Sequence, residues 1–73
     1  MVNEEYEPTD TEEQVLAVMR EEWRANPYLI REETGLGKGT INTALSNLRA
    51  AGWIRRVTRG LYEFVDDPRD TDD

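Results

Sequence analysis

The sequence predicts a small, mainly α domain closed by a β-hairpin, an α+β unit, on three observations. Apolar residues recur at helical spacing in three separate runs between residues 10 and 51. A short glycine-bearing gap, residues 35–37, divides the second run from the third. After Gly52 the chain turns to aromatic and β-branched side chains grouped around Arg59 and Gly60, the signature of two strands and a tight turn.

Each element has its own local cause. Thr9 and Asp10 are N-cap residue types, and Glu12 or Glu13 three positions on supplies the returning half of a capping box. Val15, Leu16, Met19 and Trp23 then form one apolar stripe, predicting a helix that ends near Ala25. Val18 lies off that stripe and reads as a partner contact. Asn26 and Pro27 stop this helix and open the next, with asparagine as cap and proline where its missing amide is harmless. The second helix covers residues 27–34, buries Leu29 and Ile30, and ends at Gly35 in a left-handed conformation. The third covers 38–51, with Ile41, Ala44, Leu45 and Leu48 on one face and Gly52 at its close. A hairpin over 53–65 completes the domain. Arginine disfavours positive φ, so a type I turn with Gly60 in the left-handed position of a bulge is expected at its tip. Tyr62 and Phe64 share the strand face that meets the helices, and Trp53 and Trp23 are expected in core or dimer packing. The acidic ends, 1–8 and 66–73, read as mobile tails around a folded domain at 9–65.

A helix, a helix-turn-helix pair and a hairpin in this order make a winged helix-turn-helix arrangement. Composition narrows what such a unit can do. The 73 residues contain no cysteine and no histidine, which removes the usual nucleophile, metal ligands and neutral-pH base, so neither an enzyme nor a metal or cofactor site is expected. The adjacent acid pairs at 21–22, 32–33 and 66–67 read as solvated charge. No run approaches the roughly 20 apolar residues of a membrane span, and the acidic N-terminus is unlike a signal peptide, so a cytoplasmic protein with no membrane or small-molecule partner is predicted.

The net charge of −7 is unevenly spread. Residues 1–13 carry acids and no base, whereas residues 36–60 carry Lys38, Arg49, Arg55, Arg56 and Arg59 and no acid. Local field governs encounter with a charged partner, and this window suits an anionic one. The outer face of the third helix is small, uncharged and hydrogen-bonding. Lys38, Gly39, Thr40, Asn42, Thr43, Ser46 and Asn47 are therefore the candidates for reading base edges in a major groove. Free amides at the start of this helix, around Gly37 and Lys38, suit a phosphate. Arg59 at the hairpin tip is the first choice for a wing contact. Arg55 and Arg56 point to opposite strand faces, so one of them is expected at DNA and one against Glu63 across the hairpin. Asn26 and Tyr28 are candidate phosphate contacts. The run from Gly35 to Thr40 mimics a phosphate-binding loop, but Gly39 stands where Ser or Thr is required and a helix precedes it instead of a strand.

The segments Ile30-Arg31-Glu32-Glu33-Thr34-Gly35-Leu36, Ala51-Gly52-Trp53-Ile54 and Thr58-Arg59-Gly60-Leu61-Tyr62-Glu63 resemble the haloarchaeal winged-helix regulators related to the phage phiH repressor. More distantly, the chain is similar to the DNA-reading domain of MarR-type regulators. The resemblance spans about residues 10–68 and implies sequence-specific double-stranded DNA binding and transcriptional repression. The long flanking helices through which MarR-type proteins dimerise are missing, so dimerisation and ligand sensing are not implied. A preference for arginine over lysine, with abundant Asp and Glu, is similar to halophilic archaeal proteins. A single reading helix with one wing covers little DNA, so a homodimer on a palindrome is expected, through the first helix or the tails. The net charge favours one alternative, a winged-helix protein-interaction module that docks a basic partner without reading DNA.

Overall fold

The computed structural model describes residues 2–69. Its elements are α1 (Asp10–Glu22), β1 (Arg24–Ala25), α2 (Pro27–Thr34), α3 (Lys38–Ala50), β2 (Ile54–Thr58) and β3 (Leu61–Phe64). The α+β class and the three helices are as the sequence predicts. The sheet has a strand more than the hairpin, with order β1-β3-β2 and both pairings antiparallel.

That third strand exists because α1 stops early. Its N-terminus is closed by the capping box: the Glu12 amide donates to Thr9 Oγ1 at 3.2 Å and the Thr9 amide donates to Glu12 Oε1 at 3.1 Å. Its C-terminus is Trp23, whose φ of 68° and ψ of −42° break the helix two residues before the expected end. A side chain in so sparsely populated a region costs of order 1–3 kcal/mol. The turn redirects Arg24 and Ala25 beside β3, and the Phe64 amide donates to the Trp23 carbonyl at 2.7 Å. α2 follows its punctuation, with Asn26 Oδ1 accepting from the Leu29 amide at 2.7 Å and Gly35 at φ 76° ending it. In the hairpin, Gly60 takes the positive φ of 80° and Arg59 does not. The bulge falls in β2, between Arg56 and Thr58.

The core gathers one face of each helix against the sheet: Leu16, Met19, Ile30, Ile41, Leu48 and Trp53 are all essentially inaccessible. Val18, which the stripe left outside, is buried at 7% exposure. A helix flanked by α2, α3 and the sheet buries a wider arc than a single stripe. Trp23 is the converse, exposed to 59% with its ring edge-on to Phe64 at 5.6 Å between centroids.

Both segments read as mobile tails make packing contacts in their described parts; residues 70–73 lie outside the described residues. Trp53 is the reason. Its Nε1–H donates to the Asn3 carbonyl at 2.8 Å, Tyr6 stands edge-on to its ring, and the Arg69 guanidinium lies 5.0 Å from the ring centroid. Buried Asp67 receives Arg69 Nη2–H at 2.8 Å and Arg20 Nη1–H at 3.4 Å, and Arg69 also reaches Glu13. The Arg69 bond holds the Asp67 carboxyl below the usual range despite its burial.

Glu12 is the second buried carboxylate, at 3% exposure. It accepts hydrogen bonds from the Tyr6 hydroxyl, the Thr9 amide and Asn47 Nδ2. Burial pushes its pKa up, but the bonds from Tyr6, Asn47 and Thr9 together outweigh that and bring it below the ordinary 4.5. For Tyr6, burial first and the Glu12 bond and charge next push the hydroxyl up to about 12. A carboxyl whose folded pKa is depressed contributes stability that is complete above its unfolded value and is lost as pH falls through the lower folded one. Glu12→Gln turns a donor toward a donor inside this cluster, so it should destabilise the domain by about 1–3 kcal/mol at neutral pH. It should also flatten the loss of stability below about pH 4.5. Urea unfolding of both proteins from pH 7 to pH 3 checks both expectations.

Candidate nucleic-acid interface

The charged side chains divide into two sets. Arg20 and Arg69 bind Asp67, and Arg24 and Arg55 both bind Glu63, at 3.1 Å and 2.7 Å. Among the described residues, Arg31, Lys38, Arg49, Arg56 and Arg59 have no ion pair. All of these lie on α2, α3 or the hairpin, and all are exposed. Among the described residues, the net-negative chain therefore pairs the cations of α1, the outer sheet face and the C-terminal segment, and leaves those of α2 and α3 unpaired together with Arg56 and Arg59 of the hairpin.

Register explains the wing. Arg55 stands opposite Glu63, which in turn stands opposite Arg24, so three charged side chains share one face of the sheet. Bonds from Arg55 and Arg24 hold the Glu63 carboxyl below its usual range. Arg56 stands opposite Tyr62 on the other face and is exposed, and Arg59 is at the tip. Of the two neighbouring arginines, Arg56 is thus the one left unpaired.

Along α3, Ile41, Ala44, Leu45 and Leu48 are buried while Gly39, Thr40, Asn42, Thr43, Ser46 and Asn47 are exposed. No side chain caps its start at Gly37, so its first-turn amides have no cap acceptor. The outer face is bordered on one side by a groove of about 610 Å³ between α3 and the N-terminal turn of α1, lined among others by Thr11, Glu12, Thr40, Thr43 and Asn47. Asn47 donates to Glu12 Oε2 at 2.9 Å across this groove, so its amide braces α1 against α3 instead of standing free with its neighbours. At the leading end, Pro27, Tyr28, Arg31 and Lys38 line a smaller recess of about 200 Å³. Tyr28 is 70% exposed there, and Asn26 is engaged in capping α2.

The structure thus brings Lys38 beside Tyr28 and adds Arg31, which the sequence reading missed. Its signal was the spacing of Tyr28 and Arg31, three apart on one helix face and both exposed. Arg49, on the last turn of α3, was likewise counted as charge and not assigned to the interface.

Residues 30–65 match a family described as "Transcriptional regulator, AbiEi antitoxin". The matched stretch runs from the middle of α2 through α3 and both strands of the hairpin, and omits α1. It is the part of the chain that carries the free cations. This is a regulator description, neither of an enzyme nor of the phiH-type or MarR-type regulators that the motifs resemble, and what it shares with them is transcriptional regulation. No curated protein and no solved structure matches the chain. No helix among the described residues is long and apolar enough to cross a membrane.

The pairing scheme has a direct check. In a carboxyl-detected NMR titration, Glu63 should titrate below an ordinary glutamate in the intact protein. Arg55→Ala should move it back toward the ordinary value while leaving Asp67, which has arginines of its own in Arg20 and Arg69, unchanged.

Proposed function

We propose that this chain is a sequence-specific double-stranded DNA-binding regulator of transcription, with α3 as recognition helix and the β2–β3 hairpin as wing. The observation that carries the reading is the sorting of cations: among the described residues, those without a carboxylate partner are confined to α2, α3 and the hairpin. Phosphate neutralisation supplies most of the affinity of such a surface, and a side chain already bound to a carboxylate contributes little to it.

Lys38, Gly39, Asn42, Thr43 and Ser46 face base edges, with Thr40 beside them. Asn47 holds the helix against α1 through Glu12 and acts on DNA by positioning α3. Arg31, Lys38 and Tyr28 grip a phosphate at one side, with Asn26 fixing the start of α2, and Arg59 and Arg56 grip the backbone or minor groove at the other. Arg55 remains on Glu63. Repression by occluding a promoter is the regulatory mode in keeping with the resemblance. A single module of this kind buries about 600–1,000 Å² on DNA, so the working unit is a homodimer on two half-sites.

Selection of bound fragments from a random duplex library, at low and at molar potassium chloride, should enrich a palindrome. Thr43→Glu combined with Arg59→Glu should abolish binding to it. Arg56→Ala should weaken binding to all sequences alike and reduce the salt slope by about one, whereas Arg55→Ala should change both little. Full affinity in the folded double variant, or no enrichment at either salt, would contradict the proposal.

A further inference from the structure

The corner of the molecule formed by the end of α1 and the end of β3 breaks three local rules at once. Trp23 occupies a backbone conformation with φ 68°, a region that favours glycine, yet carries the largest side chain available. Its indole is 59% exposed and meets the Phe64 ring edge-on. Just before it, Glu21 and Glu22 place two negative charges at the helix C-terminus, the end where the dipole disfavours them. Asp66 follows two residues after Phe64. Glu21, Glu22 and Asp66 are exposed and have no ion pair among the described residues. Folding alone would choose glycine at 23 and a base at 21 or 22.

We infer that this corner is a docking surface for a protein segment that combines arginine with apolar side chains. A guanidinium stacks favourably on an indole face, and its fork matches a carboxylate, so Trp23 flanked by free carboxylates offers both contacts to one type of side chain. Charge decides the class of partner. The unpaired acids repel nucleic acid and anionic lipid headgroups, and the unpaired cations that would suit the corner in a second copy belong to the surface assigned above to DNA. The choice of a separate partner over a second copy rests on that assignment, whereas the surface itself is built from residues at the ends of α1 and β3 that the DNA reading leaves unused. The molecule is then two-sided, with an anionic partner at α3 and the wing and a cationic one at Trp23.

The test uses the whole chain, labelled with ¹⁵N, and a peptide of alternating Arg and Leu as probe, with its Glu and Leu counterpart as control. The Arg peptide should shift the Trp23 indole N–H and the amides of residues 21–24 and 64–66, leaving the buried Trp53 indole and the amides of α3 in place. Trp23→Gly, which suits the backbone there and so preserves the fold, should weaken peptide binding at least about tenfold, as should Glu21→Lys combined with Glu22→Lys. No shift at Trp23, an equal shift with the Glu peptide, or undiminished affinity in both folded variants would overturn the inference. Shifts at the same corner that grow with protein concentration alone would also overturn it, by making a second copy the occupant.

Discussion

Trp53 holds together parts of the chain that are otherwise far apart. It sits between the end of α3 and the start of β2, and its amide donates to the Leu48 carbonyl, which ties it to the helix. Its own carbonyl accepts from the amides of Val65 and Asp66, which ties it to the far end of the hairpin. The indole N–H has no water to bond once the ring is buried, so it must find an acceptor within the protein, and the Asn3 carbonyl supplies it. The ring edge and face then collect Tyr6 and Arg69. One fully buried aromatic thereby fixes the angle between α3 and the β2–β3 hairpin and draws Asn3, Tyr6 and Arg69 onto the domain.

Electrostatics completes what packing begins. For an acidic protein to meet an anionic partner, as proposed for this chain, its carboxylates must not neutralise the cations that matter. Here each buried or half-buried acid has its own partner: Asp67 with Arg20 and Arg69, Glu63 with Arg24 and Arg55, and Glu12 with Tyr6, Thr9 and Asn47. Among the described residues, the cations left over lie on α2, α3 and the hairpin. Net charge describes the whole surface and says little about either of its sides.

Much of this was legible in the sequence, for local reasons. Asn26-Pro27 and Gly35 punctuate α2 so strongly that its limits follow directly, and the spacing of Ile41, Ala44, Leu45 and Leu48 fixes which face of α3 is buried. The features that escaped are those created by distant partners. Arg24 and Ala25 have no strand signature and become β1 only because Trp23 turns the chain beside β3. Asn47 looks like its exposed neighbours until Glu12, 35 residues away, claims its amide. The alternation of Arg55 and Arg56 showed that they differ, but only the register with Glu63 shows which one is free. The terminal segments read as tails from composition, and although Trp53 reads as a packing residue, nothing local shows that Tyr6 and Arg69 are what pack on it.

The most direct measurement of the central claim is the set of backbone and side-chain resonances moved when the ¹⁵N-labelled protein binds its selected duplex. Binding through α3 and the wing shifts residues 26–31, the exposed positions of 38–46 and residues 56–60, with the guanidinium signals of Arg56 and Arg59 moving and that of Arg55 unmoved on Glu63. Shifts centred on Trp23 and the end of α1, with α3 and the wing unmoved, would contradict it.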